Sequence, residues 1–261
     1  MLDRPAIKSQ AKLRMREHKP SVYLVTIVFL VIITVLSFLV EKLSGTDTML
    51  AELQQYFIHG EVPTAEEFAR LMPDVGFFAS LLILVISLVN SVINVGYQRF
   101  CLRTWRGQEA GYGDIFDEFA HFFKVVWLTI LMGIFIFLWT LLFIIPGIVA
   151  AYRYSFAYYI LIDNPELSAI ECIRESKRLT KGYKGQLFVL DLSFIGWAII
   201  GGIIEGAIGA LIRISLPLFD IWLSPYMGIT RAGFYNTRLE MDGIYHTEPA
   251  PVQDEGSDWE I

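Results

Sequence analysis

The chain alternates long apolar runs with shorter polar segments, a pattern typical of α-helical membrane proteins. Roughly 20 helical residues, rising about 1.5 Å each, cross a hydrocarbon core of about 30 Å. Five runs reach or approach that length with few charges, and each predicts a transmembrane helix. They are residues 22–43, 75–101, 125–145, 187–210 and 218–235.

A further apolar segment, residues 148–162, is shorter and contains Arg153. Joined to the preceding run through Pro146, it would form one helix of about 57 Å, nearly twice the core thickness. Two antiparallel segments that turn at Pro146 and Gly147 are therefore the better prediction, with a re-entrant hairpin as the alternative. The predicted fold class is an all-α membrane protein, a polytopic bundle of about six transmembrane helices.

The distribution of lysine and arginine predicts the topology. The segment before the first run is rich in both, whereas the next loop offers Arg70 alone beside several acids. Because cytoplasmic segments carry the excess of Lys and Arg, both termini are predicted to be cytoplasmic. The predicted organisation is a basic cytoplasmic segment (1–21), a first span (22–43), an acidic extracellular loop (44–74), a core membrane domain with five further helices (75–239) and an acidic, disordered cytoplasmic tail (240–261).

The overall composition supports the membrane assignment. Of the 261 residues, 54% are hydrophobic and 18% are charged, and the mean hydropathy is +0.50. An ordinary soluble domain does not carry such an apolar excess. Cys101 and Cys172 are predicted at cytoplasmic ends of spans, where thiols stay reduced, so no disulfide is expected.

Two cytoplasmic segments, near 114–123 and 165–181, are predicted to be amphipathic helices on the membrane surface. Asp114 caps the first, in which phenylalanines recur at helical spacing, and Asn164 and Pro165 begin the second. The partner predicted for the second helix is a lipid bilayer with an anionic cytoplasmic leaflet. Its basic positions, including one just beyond its end, are Arg174, Lys177, Arg178, Lys181 and Lys184.

Several polar residues fall at membrane depth, where a charge at mid-span costs about 2.5 to 3.5 kcal/mol. Asn90 and Asn94, on one helical face, are predicted to bond to a neighbouring helix. Arg153 and Glu205 fall at matching depths in consecutive antiparallel spans, so an ion pair is predicted, with a substrate site as the alternative. The remaining candidates, nearer to span ends and so open to water, are Asp191 and Asp220.

Small residues recur at four-residue spacing in the predicted span 187–210. Such a ladder lets another helix approach closely. Packing within the monomer is the favoured interpretation, and contact with a second copy or another membrane protein is the alternative. The ladder consists of Ala198, Gly202, Gly206 and Ala210.

Short motifs between residues 146 and 197 carry a family resemblance. They are Pro146-Gly147-Ile148, Tyr152-Arg153-Tyr154-Ser155, Asp163-Asn164-Pro165-Glu166, Glu175-Ser176-Lys177-Arg178-Leu179 and Asp191-Leu192-Ser193-Phe194-Ile195-Gly196-Trp197. With them, the chain from about 75 to 239 resembles the bacterial integral membrane family catalogued as domain of unknown function 975. Phe156 and Thr180 depart from the methionines expected there. The resemblance implies a multi-pass plasma membrane protein of a Gram-positive bacterium, and it implies no activity because the family has none established.

No combination of residues predicts catalysis. The four histidines are scattered, H-E-x-x-H and G-x-S-x-G are absent, and no P-loop lysine follows Gly111 and Gly113. We therefore expect neither an enzyme nor a metal, a cofactor or a nucleic-acid partner. The favoured hypothesis is a non-enzymatic scaffold, regulator or assembly partner that acts through its surface helices. The alternative is a transporter of a small or amphiphilic solute.

Overall fold

The computed structural model describes residues 3–212 and 217–243, with the backbone alone for 207–212. All regular secondary structure in these ranges is helical, which confirms the predicted class, and a 3-10 turn, Glu118–His121, joins α6 to α7. In chain order the helices are α1 (Arg4–Glu17), α2 (Val22–Ser44), α3 (Thr46–Ile58), α4 (Ala65–Leu71), α5 (Phe77–Trp105), α6 (Asp114–Asp117), α7 (Phe122–Leu142), α8 (Ile144–Tyr154), α9 (Ala157–Asp163), α10 (Ala169–Leu179), α11 (Lys184–Ile212) and α12 (Asp220–Met241).

Five stretches of the described chain are long and apolar enough to cross a membrane. The remaining predicted span, residues 218–235, forms a helix within α12, but α12 is not among the five because polar residues such as Arg231 and Asn236 recur along it. The five stretches are Val22–Ser44, Phe77–Trp105, Asp114–Leu142, Ile144–Asp163 and Lys184–Gly206.

The predicted hairpin between α7 and α8 is present, but its turn lies at Phe143 rather than at Pro146 and Gly147. Phe143 is extended, with φ −160° and ψ 148°, between the two helices. Pro146 instead occupies the first turn of α8, where the missing N–H breaks no helical hydrogen bond. A Cβ on Gly147 would lie 2.1 Å from Thr140 Oγ1, so this glycine allows α8 to lie directly against α7.

Buried side chains concentrate at one end of the bundle, which we name the basic end and define by Arg99, Arg103, Arg106 and Arg238. There the second half of α5 packs against α6, α9 and α12. The largest buried side chains include Phe100, Tyr154, Phe156, Phe234 and Tyr235. Away from this end, the helices expose large apolar side chains, as suits contact with hydrocarbon; they include Phe78, Leu82, Val85, Phe137, Leu141, Ile200 and Ile203.

Helix α12 lies at the centre of this core. It packs against α5, α1 and α2, and it touches α5 most closely at Gly233, where a Cβ would lie 2.5 Å from the Trp105 ring. The start of α2 and the end of α12 both reach the basic end. The Thr26 and Tyr97 hydroxyls are 2.9 Å apart, and Arg106 Nε donates to Asn236 Oδ1 over 2.9 Å. The start of α2 and the end of α12 therefore lie on one side of the bundle.

The segments predicted as surface helices are held by protein contacts. The first is a short α6 followed by a 3-10 turn, and the second, α10, begins after its Ser168 cap rather than at Pro165. The apolar stripe of α10, including Cys172 and Ile173, is buried against α7, α8 and α9. Burial of that stripe in protein leaves the opposite, basic face of α10 and the side chain of Ile170 exposed.

The predicted basic segment and the predicted extracellular loop both contain helices. The loop 44–74 forms α3 and α4, and Thr64 and Glu67 cap α4 reciprocally. The segment 1–21 contains α1, a helix that the sequence analysis did not predict. Of the predicted tail, residues 240–261, the part after residue 243 lies outside the described residues.

Candidate functional site

An ion pair joins two neighbouring helices, α11 and α12. Arg231 donates from Nε to Asp191 Oδ1 over 2.9 Å and from Nη2 to Oδ2 over 2.8 Å. This two-pronged geometry is the strongest form of arginine–carboxylate contact. Asp191 was a candidate from sequence, but Arg231 was missed, although a positive charge within the predicted span 218–235 was a visible signal.

A cavity of about 590 Å³ opens beside this ion pair, between α2, α5, α8, α9, α11 and α12. Its volume falls within the usual range for small-molecule sites. The Arg231 side chain remains 47% exposed while that of Asp191 is 12% exposed, so the guanidinium is the more accessible partner from the cavity. The polar side chains of the lining include Asn94, Gln98, Tyr152, Ser155, Asp191, Ser224 and Arg231, and aromatic rings form half of the rest.

A polar stripe on α5 extends from this cavity. Ser87, Ser91, Asn94 and Gln98 are spaced by three or four residues, so they share one helical face. They border a groove of about 320 Å³, and Asn94, Gln98 and Tyr158 line both the groove and the cavity. From Ser87 to Gln98 the stripe runs about 17 Å along the helix axis. The polar lining is therefore continuous over much of a bilayer leaflet.

Asn90 and Asn94 were predicted to bond to a neighbouring helix, but the bonds that the structure gives them lie within α5. Asn94 Nδ2 donates to both Asn90 O and Asn90 Oδ1, each over 2.8 Å. Asn94 is exposed in the groove, and across it the Tyr158 and Thr129 hydroxyls lie 3.0 Å apart. The Asn94 amide nitrogen therefore donates within α5, and the exposed side chain still presents its amide oxygen as an acceptor.

The predicted pair of Arg153 and Glu205 is wrong. Glu205 Oε1 instead accepts a hydrogen bond from the backbone N–H of Phe219 over 2.7 Å, which secures the start of α12. Arg153 lies in a separate apolar depression beside Trp139 and Pro146, where no ion pair to it occurs among the described residues. Matching depth along two helices did not fix which faces of those helices meet.

The small-residue ladder of α11 does not pack within the described part of the monomer. Ala198, Gly202 and Gly206 are exposed, and a Cβ on Gly202 or Gly206 would meet no atom within 4 Å. The side chain of Ala210 lies outside the described set. Close contact occurs one residue away, at Gly201, where a Cβ would lie 2.4 Å from the Phe219 ring. The favoured interpretation of the ladder is therefore wrong, and contact with a second protein stays a prediction.

The predicted membrane-surface cations of α10 lie on its outer side. Arg174, Lys177, Arg178 and Lys181 are exposed, and Lys184 is half-buried at the start of α11. Arg178 is also paired, with Glu175 and with Asp242, the latter over 2.7 Å. Binding of this face to anionic lipid stays a prediction.

The basic end contains a buried polar network that the sequence analysis missed. Arg106 donates from Nη1 and Nη2 to the two oxygens of Asp163 over 2.6 and 2.8 Å, and Asp163 also accepts from the Tyr235 hydroxyl over 2.9 Å. These contacts join α5, α9 and α12, and the arginine and aspartate side chains are 10% and 6% exposed. This network fixes the helices beneath the cavity.

Neither metal ligation nor thiol chemistry is indicated. Within the described ranges, no three His, Cys, Asp or Glu side chains come close enough together to hold a metal ion. Cys101 and Cys172 are free and buried, and burial raises the pKa of the Cys172 thiol to about 11. A thiol with so high a pKa is a weak nucleophile at neutral pH.

Comparison with known proteins gives one match. Residues 141–240 match the family model described as protein of unknown function (DUF975). The match includes the Asp191 and Arg231 pair and confirms the resemblance for this part of the chain, whereas residues 75–140 lie outside the matched region. Searches of curated proteins and of solved structures found no match.

Proposed function

We propose that this chain, whose residues 141–240 contain a domain of unknown function 975, transports a small amphiphilic solute by binding its polar group in the cavity beside Asp191 and Arg231. The observation that carries the proposal is that cavity, which is large enough for a small molecule and polar at one wall. Five apolar helices long enough to cross a membrane surround or adjoin it. No covalent step is part of the proposed function.

The paired charges favour one class of ligand. Asp191 and Arg231 neutralise each other, so the wall carries no net charge while offering both an acceptor and a donor. A zwitterionic or neutral polar group can bond to both without leaving a charge uncompensated. A singly charged ligand would have to compete with the existing partner, so we propose a zwitterionic or neutral polar head.

The stripe on α5 supports movement of such a group. Hydrocarbon cannot bond to an exposed amide, so Ser87, Asn94 and Gln98 need a polar partner at membrane depth. A polar head that moves along the groove would meet hydrogen-bonding side chains over about 17 Å while its apolar part stays in lipid. The competing scaffold hypothesis has less support, because the apolar stripe of α10 is already covered by protein.

We also propose a bacterial plasma membrane location with the basic end in the cytoplasm. The start of α2 and the end of α12 lie on that side, together with the arginines that define it. The excess of Lys and Arg on cytoplasmic segments favours this orientation.

The test is transport by the purified full-length chain in liposomes. The panel contains a zwitterionic amino acid, a neutral sugar and a short-chain zwitterionic phospholipid with a fluorescent tail. We expect movement of the phospholipid probe, and a loss of roughly tenfold or more in the Asn94→Leu and Gln98→Leu double variant, because two hydrogen bonds at about 0.5 to 1.5 kcal/mol each are removed.

A matched control uses the same helix. Ser80 is exposed on α5 outside the groove, so Ser80→Leu adds a comparable apolar side chain and should leave transport unchanged. No movement of any probe by the wild-type chain, or equal transport by the wild type and the double variant, would contradict the proposal and return the scaffold hypothesis to first place.

A further inference from the structure

Helix α1 places cations along the flank of the bundle. Its buried residues, Ile7, Ala11 and Met15, recur every four positions and attach one face of α1 to α12 and α5. Lys8 comes directly after Ile7 and Lys12 directly after Ala11, so the two lysines are also four residues apart. The two ammonium groups are therefore held in line beside the helices that α1 contacts.

Both lysines reach aromatic rings of the neighbouring helices. Lys8 Nζ donates to Ser193 Oγ on α11 and lies 4.2 Å from the centroid of the Phe194 ring. Lys12 Nζ lies 5.3 Å from the centroid of the Tyr226 ring on α12. Such positions over ring faces attract cations.

These contacts occur where α11 changes from polar to apolar sequence. After Ser193, no charged residue follows on α11 until Glu205. An aromatic row continues beside this boundary: the ring centroids of Tyr226 and Trp222 are 5.4 Å apart, and those of Trp222 and Trp197 are 5.7 Å apart. Tyrosine and tryptophan collect at the level of lipid headgroups in membrane proteins.

The cations lack an acidic partner. Arg4, Lys8 and Lys12 form no salt bridge with any residue of 3–212 or 217–243. Burial lowers the pKa of Lys8, and the nearby charges of Lys12 and Arg4 lower it further. A group of like charges at the edge of a low-dielectric region is stabilised by an anion from outside the described chain.

We infer that α1, α11 and α12 form a binding site for an anionic phospholipid. The headgroup phosphate lies between Lys8 and Lys12, and the acyl chains follow the exposed apolar face of α11, which includes Ile195 and Ile199. Charge complementarity and the adjacent apolar face together select a lipid over a free anion. This site is separate from the cavity beside Asp191 and does not depend on the transport proposal.

The experiment is thermal unfolding of the full-length protein in nonionic detergent. Short-chain phosphatidylglycerol, phosphatidylcholine with the same chains, and inorganic phosphate are added in parallel. We expect phosphatidylglycerol alone to raise the Tm, and the double variant Lys8→Gln and Lys12→Gln to lose roughly 4 °C or more of that rise. The single variant Lys12→Gln, which changes an exposed side chain, should lose about half of it and covers the case in which the double variant fails to fold.

The matched control is Arg70→Gln with Lys124→Gln, which removes the same charge from exposed positions of α4 and α7. It should keep most of the rise, because its charges lie away from α1. An equal loss in both double variants would mean that net charge alone attracts the lipid, and it would overturn the site. Equal stabilisation by phosphatidylcholine, an effect of inorganic phosphate as large as that of the lipid, or an unchanged rise in Lys12→Gln would overturn it as well.

Discussion

The pair of Arg106 and Asp163 permits a quantitative test of the packing at the basic end. Asp163→Asn keeps the shape of the side chain but removes its charge. The Arg106 guanidinium, only 10% exposed, would then be left without its carboxylate. Removing one partner of a buried pair costs about 3 to 5 kcal/mol, which corresponds to a fall in Tm of roughly 10 °C in a chain of this size.

The assay is reversible unfolding in detergent micelles, applied to Asp163→Asn and to three further variants: Asp163→Leu, Arg106→Leu and the combination. Because either single change leaves a buried charge, the double variant should lose less stability than the sum of the two losses. The matched control is Glu175→Gln. Its partner Arg178 is 50% exposed, so its loss should stay below about 1 kcal/mol. Additive losses in the double variant, or a cost for Asp163→Asn as small as that of Glu175→Gln, would refute this account.

Two further predictions concern helix packing and orientation. Gly201→Ala should destabilise the protein by about 1 to 3 kcal/mol because its Cβ would collide with the Phe219 ring, whereas Gly202→Ala should be neutral or slightly stabilising; equal Tm values for both would contradict the assigned face of α11. A cysteine at Val62, in the predicted extracellular loop, should react with an impermeant maleimide on intact cells, and a cysteine at Glu166, on the predicted cytoplasmic side, should not. Both positions are exposed and the native thiols are buried, so labelling reports the side of the membrane. The reverse labelling would invert the topology.

The sequence predicts the elements of this fold better than their contacts. Hydropathy is a local property, so the apolar helices and the separation of α7 from α8 follow directly from the run lengths. The stripe of Ile7, Ala11 and Met15 was equally local, and it was missed because residues 1–21 were interpreted only by their positive charge. The capping box of Thr64 and Glu67 is local as well, because the two residues stand three positions apart at the start of α4.

It was harder to predict which side chains of neighbouring helices meet, because that depends on how each helix is rotated about its axis. Arg153 and Glu205 lie at matching depth on neighbouring helices, but they face different surroundings. Likewise, the small residues of α11 recur every four positions as described, but the close contact with Phe219 occurs at Gly201, which is not part of that ladder. Asp191 was recognised as a candidate, but its partner Arg231 was not. The predicted span 218–235 had been identified from the length of its apolar run, and the charge within that run was not considered.

The central position of α12 has a consequence for how the protein is made. This helix is too polar to count among the spans, and it follows α1 to α11 in the chain, yet α1, α2 and α5 all bury surface against it. The contact of Arg106 with Asn236 joins residues 130 positions apart in the chain. Until residues 220–241 are synthesised, the earlier helices keep part of their polar inner face uncovered, so the core at the basic end is completed only after α12 has left the ribosome.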